Sequence, residues 1–219
     1  ALGLSLPGAG TALAVSARRL WIAKESGRQI VKLVEKGTTS SKIITPESLR
    51  NAIRVLHAIG GSTNAVVHIL ALAQELDLAD GITLETVEKL SREVCCIVNV
   101  RPSGTYTMAD FHEAGGVPAV MKMLEGGLHL GCRTVTGATV GENLRRVCAR
   151  RPDVIRGLDE PVFRARGFWR GDMWPPTNYL VALGLMRYGH HDVARDLTEK
   201  MLTLLAEKGI NERYDATSG

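Results

Sequence analysis

Ser62, Thr63 and Asn64, placed directly after Gly60 and Gly61, are the residues whose types and spacing most readily suggest chemistry. Small hydroxyl and amide side chains at the start of an apolar helical run can cap it. The bare N–H groups of its first turn, with the positive end of the helix dipole, then suit an oxyanion of a small substrate. His57 and His68 flank this corner from opposite sides, where an imidazole could reach a bound anion. Each feature also has a plainer reading: helix caps far outnumber anion sites, and a helical histidine is more often a satisfied surface or core residue. Cys95, Cys96, Cys132 and Cys148 form no CxxC pair and no metal-ligand spacing. Cys95 and Cys96, adjacent in an apolar run, read as buried structural thiols, and the set fits a reduced, cytoplasmic setting.

The elements that must position the corner follow from periodicity. Thr11 to Lys36 reads as one long helix closed by Gly37. Thr45-Pro46 supplies an N-cap and a first-turn proline for a helix carrying Leu49, Ala52, Ile53 and Leu56 on one side, and this helix delivers the chain to Gly60. A further helix runs from Thr63 to about Leu76, and Thr83 caps another to Arg92. Val94 to Val100 is the clearest strand candidate, Ala114-Gly115-Gly116 is a second glycine corner between two short helices, and Val140 to Cys148 is helical. Alternation of helices with few buried strands predicts a helix-rich α/β arrangement.

Composition sets the bounds. The 219 residues, 45% of them apolar, are enough for a real core, and 27 basic against 23 acidic side chains give only +4. The densest basic runs, Lys32 to Lys36 and Arg145 to Arg151, read as solvated helix faces without an aromatic platform, which argues against nucleic acid. No apolar run reaches the ~20 residues of a membrane span, and the opening ALGLSLPGAG lacks the charged start of a signal peptide. With no initial Met, the sequence is expected to begin inside a longer gene product.

The composition changes near Pro161. The stretch Phe168-Trp169-Arg170-Gly171-Asp172-Met173-Trp174-Pro175-Pro176 has no earlier counterpart, and two helices follow it, Asn178 to Tyr188 and His191 to Glu207, ended by Gly189 and Gly209. Taken alone, the Trp-Arg-Gly loop reads as an aromatic packing cluster with a cation over a ring, and Glu212 as a surface carboxylate.

Five motifs in one order carry a resemblance. They are Ala1-Leu2-Gly3-Leu4-Ser5-Leu6-Pro7-Gly8, the corner from Asn51-Ala52 through AIGGSTNA to His68, Pro102-Ser103-Gly104 with Tyr106 and Met108, Ala114-Gly115-Gly116-Val117-Pro118-Ala119-Val120, and Thr134-Val135-Thr136-Gly137 with Glu142-Asn143. Over about residues 1 to 161 the chain resembles the dihydroxy-acid and sugar-acid dehydratases, with Ile59 in the corner nearer to the sugar-acid branch. The resemblance implies a hydro-lyase whose iron-sulfur cluster acts as Lewis acid on the leaving hydroxyl beside a divalent metal, Mg, while a base removes the proton next to the carboxylate. It also implies that cluster, metal ligands and base lie outside the matched segment, so that no cofactor is expected in this chain. Gly60, Gly61, Ser62, Thr63 and Asn64 then become a substrate-side wall for a small sugar acid or dihydroxy acid.

Residues 162–219 are similar instead to the final part of the (α/α)6-barrel glycoside hydrolases of family sixty-three and the related trehalases. The likeness rests on Phe168-Trp169-Arg170-Gly171, Trp174-Pro175, Asn178-Tyr179-Leu180 and Glu212-Arg213-Tyr214-Asp215. It implies that Glu212 matches the water-activating base and that Trp169, Arg170 and Trp174 line a carbohydrate site, with the partner acid on barrel helices outside this stretch. The chain therefore reads as a hybrid, joined near Val162 and Phe163, with neither active site complete and no turnover expected. A non-enzymatic helical module that associates through uncovered apolar faces, as a homo-oligomer, is the remaining reading.

Overall fold

A computed structural model describes residues 1–102, 104–162, 172–173, 175–209 and 214–215. The chain divides into two compact units, Ala1–Ala165 and Arg166–Gly219.

The first unit is built on helix α2 (Pro46–Ala58). Thr45 and Ser48 form a reciprocal capping box at its start, with Pro46 in the first turn, so its entry is fixed locally. Leu49, Ala52, Ile53 and Leu56 on one side of α2 pack with Ile69, Ala73, Ile82, Val87 and Leu90, contributed mainly by α3 (Thr63–Glu75) and α4 (Leu84–Glu93). Val55 and Ala58 on its other side join a second core with Ile97, Val98, Phe111, Ala119, Val120, Leu124, Val140 and Ile155. That second core gathers α5 (Met108–Glu113), α6 (Gly116–Met123), α7 (Val140–Leu144) and the extended segments around residues 97 and 155.

Helix α1 (Ala17–Glu35) begins later than Thr11 because the Ser16 side chain caps it by accepting the Arg18 N–H. Its end is as expected: Gly37 takes φ +58°, and Thr38 N–H returns to the Leu33 carbonyl at 2.8 Å. Only Ile22 and Leu33 of α1 are buried.

The expected strand over Val94–Val100 is extended but forms no ladder. Val98 pairs with Ile155 and Val100 with Tyr106 as isolated bridges, held by Asn99 N–H to the Val154 carbonyl at 2.9 Å and Arg156 N–H to the Ile97 carbonyl at 2.8 Å. Helix α7 stops at Leu144 rather than Cys148. The first unit is therefore helix-rich, and the β component of the α/β expectation appears among its described residues only as bridges.

In the second unit, two-residue strands β1 (Asp172–Met173) and β2 (Tyr214–Asp215) pair antiparallel. Helices α8 (Pro175–Arg187) and α9 (His191–Lys208) pack on each other, with Gly189 and Gly209 at positive φ after each. Ala182, Ala194 and Met201 are buried, whereas Tyr179, Leu180, Val181 and Met186 of α8 stay exposed. Two helices alone cannot cover both of their apolar faces.

Candidate functional site

The corner between α2 and α3 has the geometry that its glycines require. Gly60 takes φ +62°, Gly61 N–H donates to the Leu56 carbonyl at 2.9 Å, and Gly60 N–H to the His57 carbonyl at 3.2 Å. A Cβ on Gly61 would fall 2.3 Å from Leu56 Cδ1 and 3.2 Å from the Leu56 carbonyl, so a side chain there would force Leu56 to shift. Of the three candidate caps it is Ser62 that acts, its Oγ accepting the Asn64 N–H at 3.2 Å. Ser62, Thr63 and Asn64 are exposed, as is His68, while His57 is half-buried. The start of α3 thus faces solvent, with room for an oxyanion but no enclosure around it.

A concave site lies elsewhere. A cavity of about 250 Å³ is lined by the opening loop (Gly3, Leu6, Pro7, Thr11), by α6 (Val117, Pro118, Met121) and by the 134–144 stretch (Thr134, Thr136, Val140, Asn143). Its lining carries no titratable side chain and does not include the 58–65 corner, His57 or His68. The loop is held in place by backbone fit: Val135 N–H donates to the Gly3 carbonyl at 2.7 Å, and a Cβ on Gly3, at φ +82°, would meet the Arg133 carbonyl at 2.8 Å. Gly116 at φ +59° lets α6 approach Thr11, whose Oγ1 would sit 2.7 Å from an added Cβ. Thr11 Oγ1 also hydrogen-bonds His112 Nδ1 at 2.9 Å, which ties the loop to α5.

Polar groups of the cavity are preorganised by one another. Asn143 Nδ2 donates to Thr134 Oγ1 at 2.9 Å, and Asn143 Oδ1 accepts from Thr136 Oγ1 at 3.1 Å. Thr134 Oγ1 donates to the Ala138 carbonyl at 2.8 Å, so the hydroxyls keep fixed rotamers. Both lone pairs of Thr134 Oγ1 are taken, by Asn143 Nδ2–H and Thr136 N–H, so one amide hydrogen of Asn143 remains to donate to a ligand oxygen and one lone pair of Thr136 Oγ1 to accept a ligand hydroxyl. Such a set can bind and orient hydroxyl or carboxylate groups. It cannot take or give a proton near neutral pH.

A charged cluster braces α5. Asp110 accepts Thr107 N–H and Oγ1–H at 2.9 and 2.6 Å and pairs with Arg151 at 2.8 Å; Arg151 also reaches Asp153 at 2.8 Å and lies 5.2 Å from the Tyr106 ring centre. The Thr107 bonds and then Arg151 hold the Asp110 carboxyl far below the usual carboxylate range, and Arg151 lowers Asp153. A depressed carboxylate stabilises the fold above its unfolded pKa of about 4, and that contribution is lost as pH falls through the lower folded value. Asp110→Asn should therefore lower the urea midpoint at pH 7, and the gap to the parent should close progressively below about pH 4. A gap unchanged from pH 7 to pH 2 would show that Asp110 acts through shape alone.

The cysteines suit structural roles better than ligation. Cys96 is buried as expected, whereas Cys95, expected to be buried beside it, is half-buried; Cys132 is half-buried and Cys148 exposed. Burial pushes the Cys96 and Cys132 thiols up, away from the thiolate a metal would need. Among the described residues no group of three or more His, Cys, Asp or Glu side chains is placed to hold a metal ion, and no helix is long and apolar enough to cross a membrane. Trp169, Arg170, Trp174 and Glu212 lie outside the described residues, as does Ser103.

Three of the five sequence motifs therefore converge on one cavity, which no single stretch revealed. Residues 1–143 match the family model of the dihydroxy-acid/6-phosphogluconate dehydratase N-terminal region. Residues 157–219 match that of the mannosylglycerate hydrolase MGH1-like glycoside hydrolase domain. The chain is similar to the dihydroxy-acid dehydratase of Ignicoccus hospitalis, 50% identical over 179 residues that cover 80% of this chain and 32% of the relative. The dihydroxy-acid dehydratase of Methanothermobacter thermautotrophicus is 44% identical over 177 residues, covering 80% and 32%, and that of Pyrococcus abyssi 46% over 169 residues, covering 76% and 30%. The chain spans about a third of the length of these relatives.

Proposed function

The chain belongs to the dihydroxy-acid/6-phosphogluconate dehydratase N-terminal family, and from that premise we propose that residues 1–161 form the substrate-side part of a hydro-lyase for dihydroxy acids or sugar acids. The observation that carries this reading is the cavity where the Gly3–Thr11 loop, α6 and the Thr134–Asn143 stretch meet, lined by hydroxyl and amide groups and by no titratable side chain. Dehydration needs an acid for the departing hydroxyl and a base for the α-proton. This cavity supplies orientation, and the exposed 60–64 corner, which is not part of its lining, offers a separate helix start suited to an oxyanion.

Dihydroxy-acid dehydratases generally use an iron-sulfur cluster and Mg, which supply Lewis-acid activation of the hydroxyl. The four thiols of this chain do not fit a cluster: they are scattered in burial, and two of them are raised in pKa. No step is assigned to them. The isolated chain is accordingly expected to bind the acid without turning it over. Conversely, grafting residues 1–161 into the Ignicoccus dehydratase in place of its matching segment should give an active enzyme, read as appearance of the 2-keto product. Turnover by the isolated chain, or a folded, cofactor-loaded graft without turnover, would contradict the proposal. The free thiols fit a reducing, cytoplasmic setting.

A second reading applies to residues 162–219 and is favoured by their match to a glycoside hydrolase domain. There Glu212 would act as the base of an inverting hydrolysis, with Trp169, Arg170 and Trp174 against a carbohydrate and an acid roughly 6.5–9.5 Å from Glu212. Any glycoside hydrolysis by the chain should then disappear in Glu212→Gln. Activity that survives the substitution removes Glu212 from the mechanism.

A further inference from the structure

Two walls of the cavity are fastened by one helix, α1, that is not part of its lining. Gln29 of α1 donates from Nε2 to the Val135 carbonyl at 2.6 Å, and Arg19 donates from Nη1 to the Ala9 carbonyl at 2.6 Å. Val135 stands between Thr134 and Thr136, and Ala9 between Gly8 and Gly10, all of which line the cavity. The Val135 N–H in turn donates to the Gly3 carbonyl at 2.7 Å. Val135 is therefore the link at which α1, the 134–144 stretch and the opening loop meet.

The helix that makes these bonds is itself weakly held. Of its 19 residues all but Ile22, Glu25, Gln29 and Leu33 are exposed, and these four form one narrow stripe at 3-4-4 spacing. A helix in a folded protein owes most of its stability to such packing. Gly27, in the middle of α1 with nothing within 4 Å of an added Cβ, lowers the remainder. The chain on either side is firmly set: Thr11 and Ala12 before α1 and Ile43 and Ile44 after it are buried. Exposed connections, residues 13–15 and 39–42, join those anchors to the helix. We propose that α1 is a strap: it undocks and loses its turns as a whole while both anchors and the two cores around α2 stay folded, and the Val135 link between the cavity walls loosens with it. The strap acts on the walls whatever ligand they hold, so its test needs none.

Amide exchange followed by NMR on the full chain reads the opening directly. Protection factors in α1 should lie at least ~10-fold below those of α2 and share one denaturant dependence, smaller than that of α2, as a part that opens together does. The Val135 N–H, 100 residues away in sequence on the order of magnitude, should exchange at the α1 level. Two substitutions then move the equilibrium in opposite directions. Gln29→Met removes the bond but keeps the length and helix propensity of the side chain, and should speed exchange of α1 and of Val135 together by roughly 2–10-fold. Gly27→Ala adds helix propensity in open space, touches neither wall, and should slow both by roughly 3–5-fold. A Val135 N–H unmoved by Gly27→Ala while α1 slows would overturn the proposal. So would protection of α1 equal to that of α2, which means that it opens only with the whole unit, or rates graded along the helix from the Gly37 end, which means fraying.

Discussion

Replacing Asn51 by leucine should destabilise the Ala1–Ala165 unit by about 1–3 kcal/mol, although the side chains are close in volume and no cavity is made. Asn51 is fully buried in α2. Its Oδ1 accepts the His129 N–H at 2.8 Å and its Nδ2 donates to the His129 carbonyl at 3.0 Å, so one amide completes both backbone groups of a residue 78 positions away. Leucine leaves the His129 N–H without its partner and the His129 carbonyl with only the Cys132 N–H at 3.4 Å, and an unsatisfied group of this kind costs about 1–3 kcal/mol. Asn51→Asp should be worse at pH 7, since it keeps one acceptor, loses the donor and buries a charge. Its deficit should narrow as pH falls and the new carboxyl takes up a proton. Urea unfolding at pH 7 and pH 4 measures both. A loss below about 1 kcal/mol for Asn51→Leu would mean that His129 finds other partners.

Asn51 also shows where sequence reasoning stops. Local signals were legible. The Thr45-Pro46 start of α2, the Thr83 cap of α4 and the glycines at 37, 60, 115, 189 and 209 all stand where their side chains and φ angles need them. Each such signal lies within one turn of the feature it sets. Features that depend on distant partners were not legible. Asn51 read as part of a motif, and nothing near it in sequence announces His129. Val94–Val100 has strand composition, yet its neighbours are Ile155 and Tyr106, and they make bridges rather than a ladder. The cavity draws its walls from residues 3–11, 117–121 and 134–144, three stretches whose shared role appears only once Val135 N–H meets the Gly3 carbonyl. The corner that looked most chemical is exposed and lies outside the cavity's lining, whereas the Thr134–Thr136–Asn143 cluster, which the sequence offers only as part of a motif, lines it. A signal was available in the density of hydroxyl and amide residues between Thr134 and Asn143, a stretch otherwise bounded by apolar positions.

Leu49→Ala and Ile97→Ala should each cost about 2–5 kcal/mol, and the two losses should appear in both halves of the unit. Leu49 and Ile97 are fully buried in different clusters, Leu49 with Ile53 and Ile69, Ile97 with Val120 and Ile155. Helix α2 belongs to both clusters: Leu49, Ile53 and Leu56 face one, Val55 and Ala58 the other. A helix cannot keep one stripe docked while its other stripe is released to water without losing the hydrogen bonds that hold it, so the two cores share one opening transition. Hydrogen exchange of peptides from α4, in the first cluster, and from α6, in the second, should therefore lose equal free energy of protection in either variant. The double variant should lose nearly the sum, because Leu49 and Ile97 belong to different buried clusters. With a total stability on the order of 5–15 kcal/mol, that sum brings the unit close to unfolding at 25 °C. If Leu49→Ala exposed α4 while α6 kept its protection, α2 would not couple the cores. The cavity wall formed by α6 and α7 would then be a separate folding unit from the helix that carries the 58–65 corner.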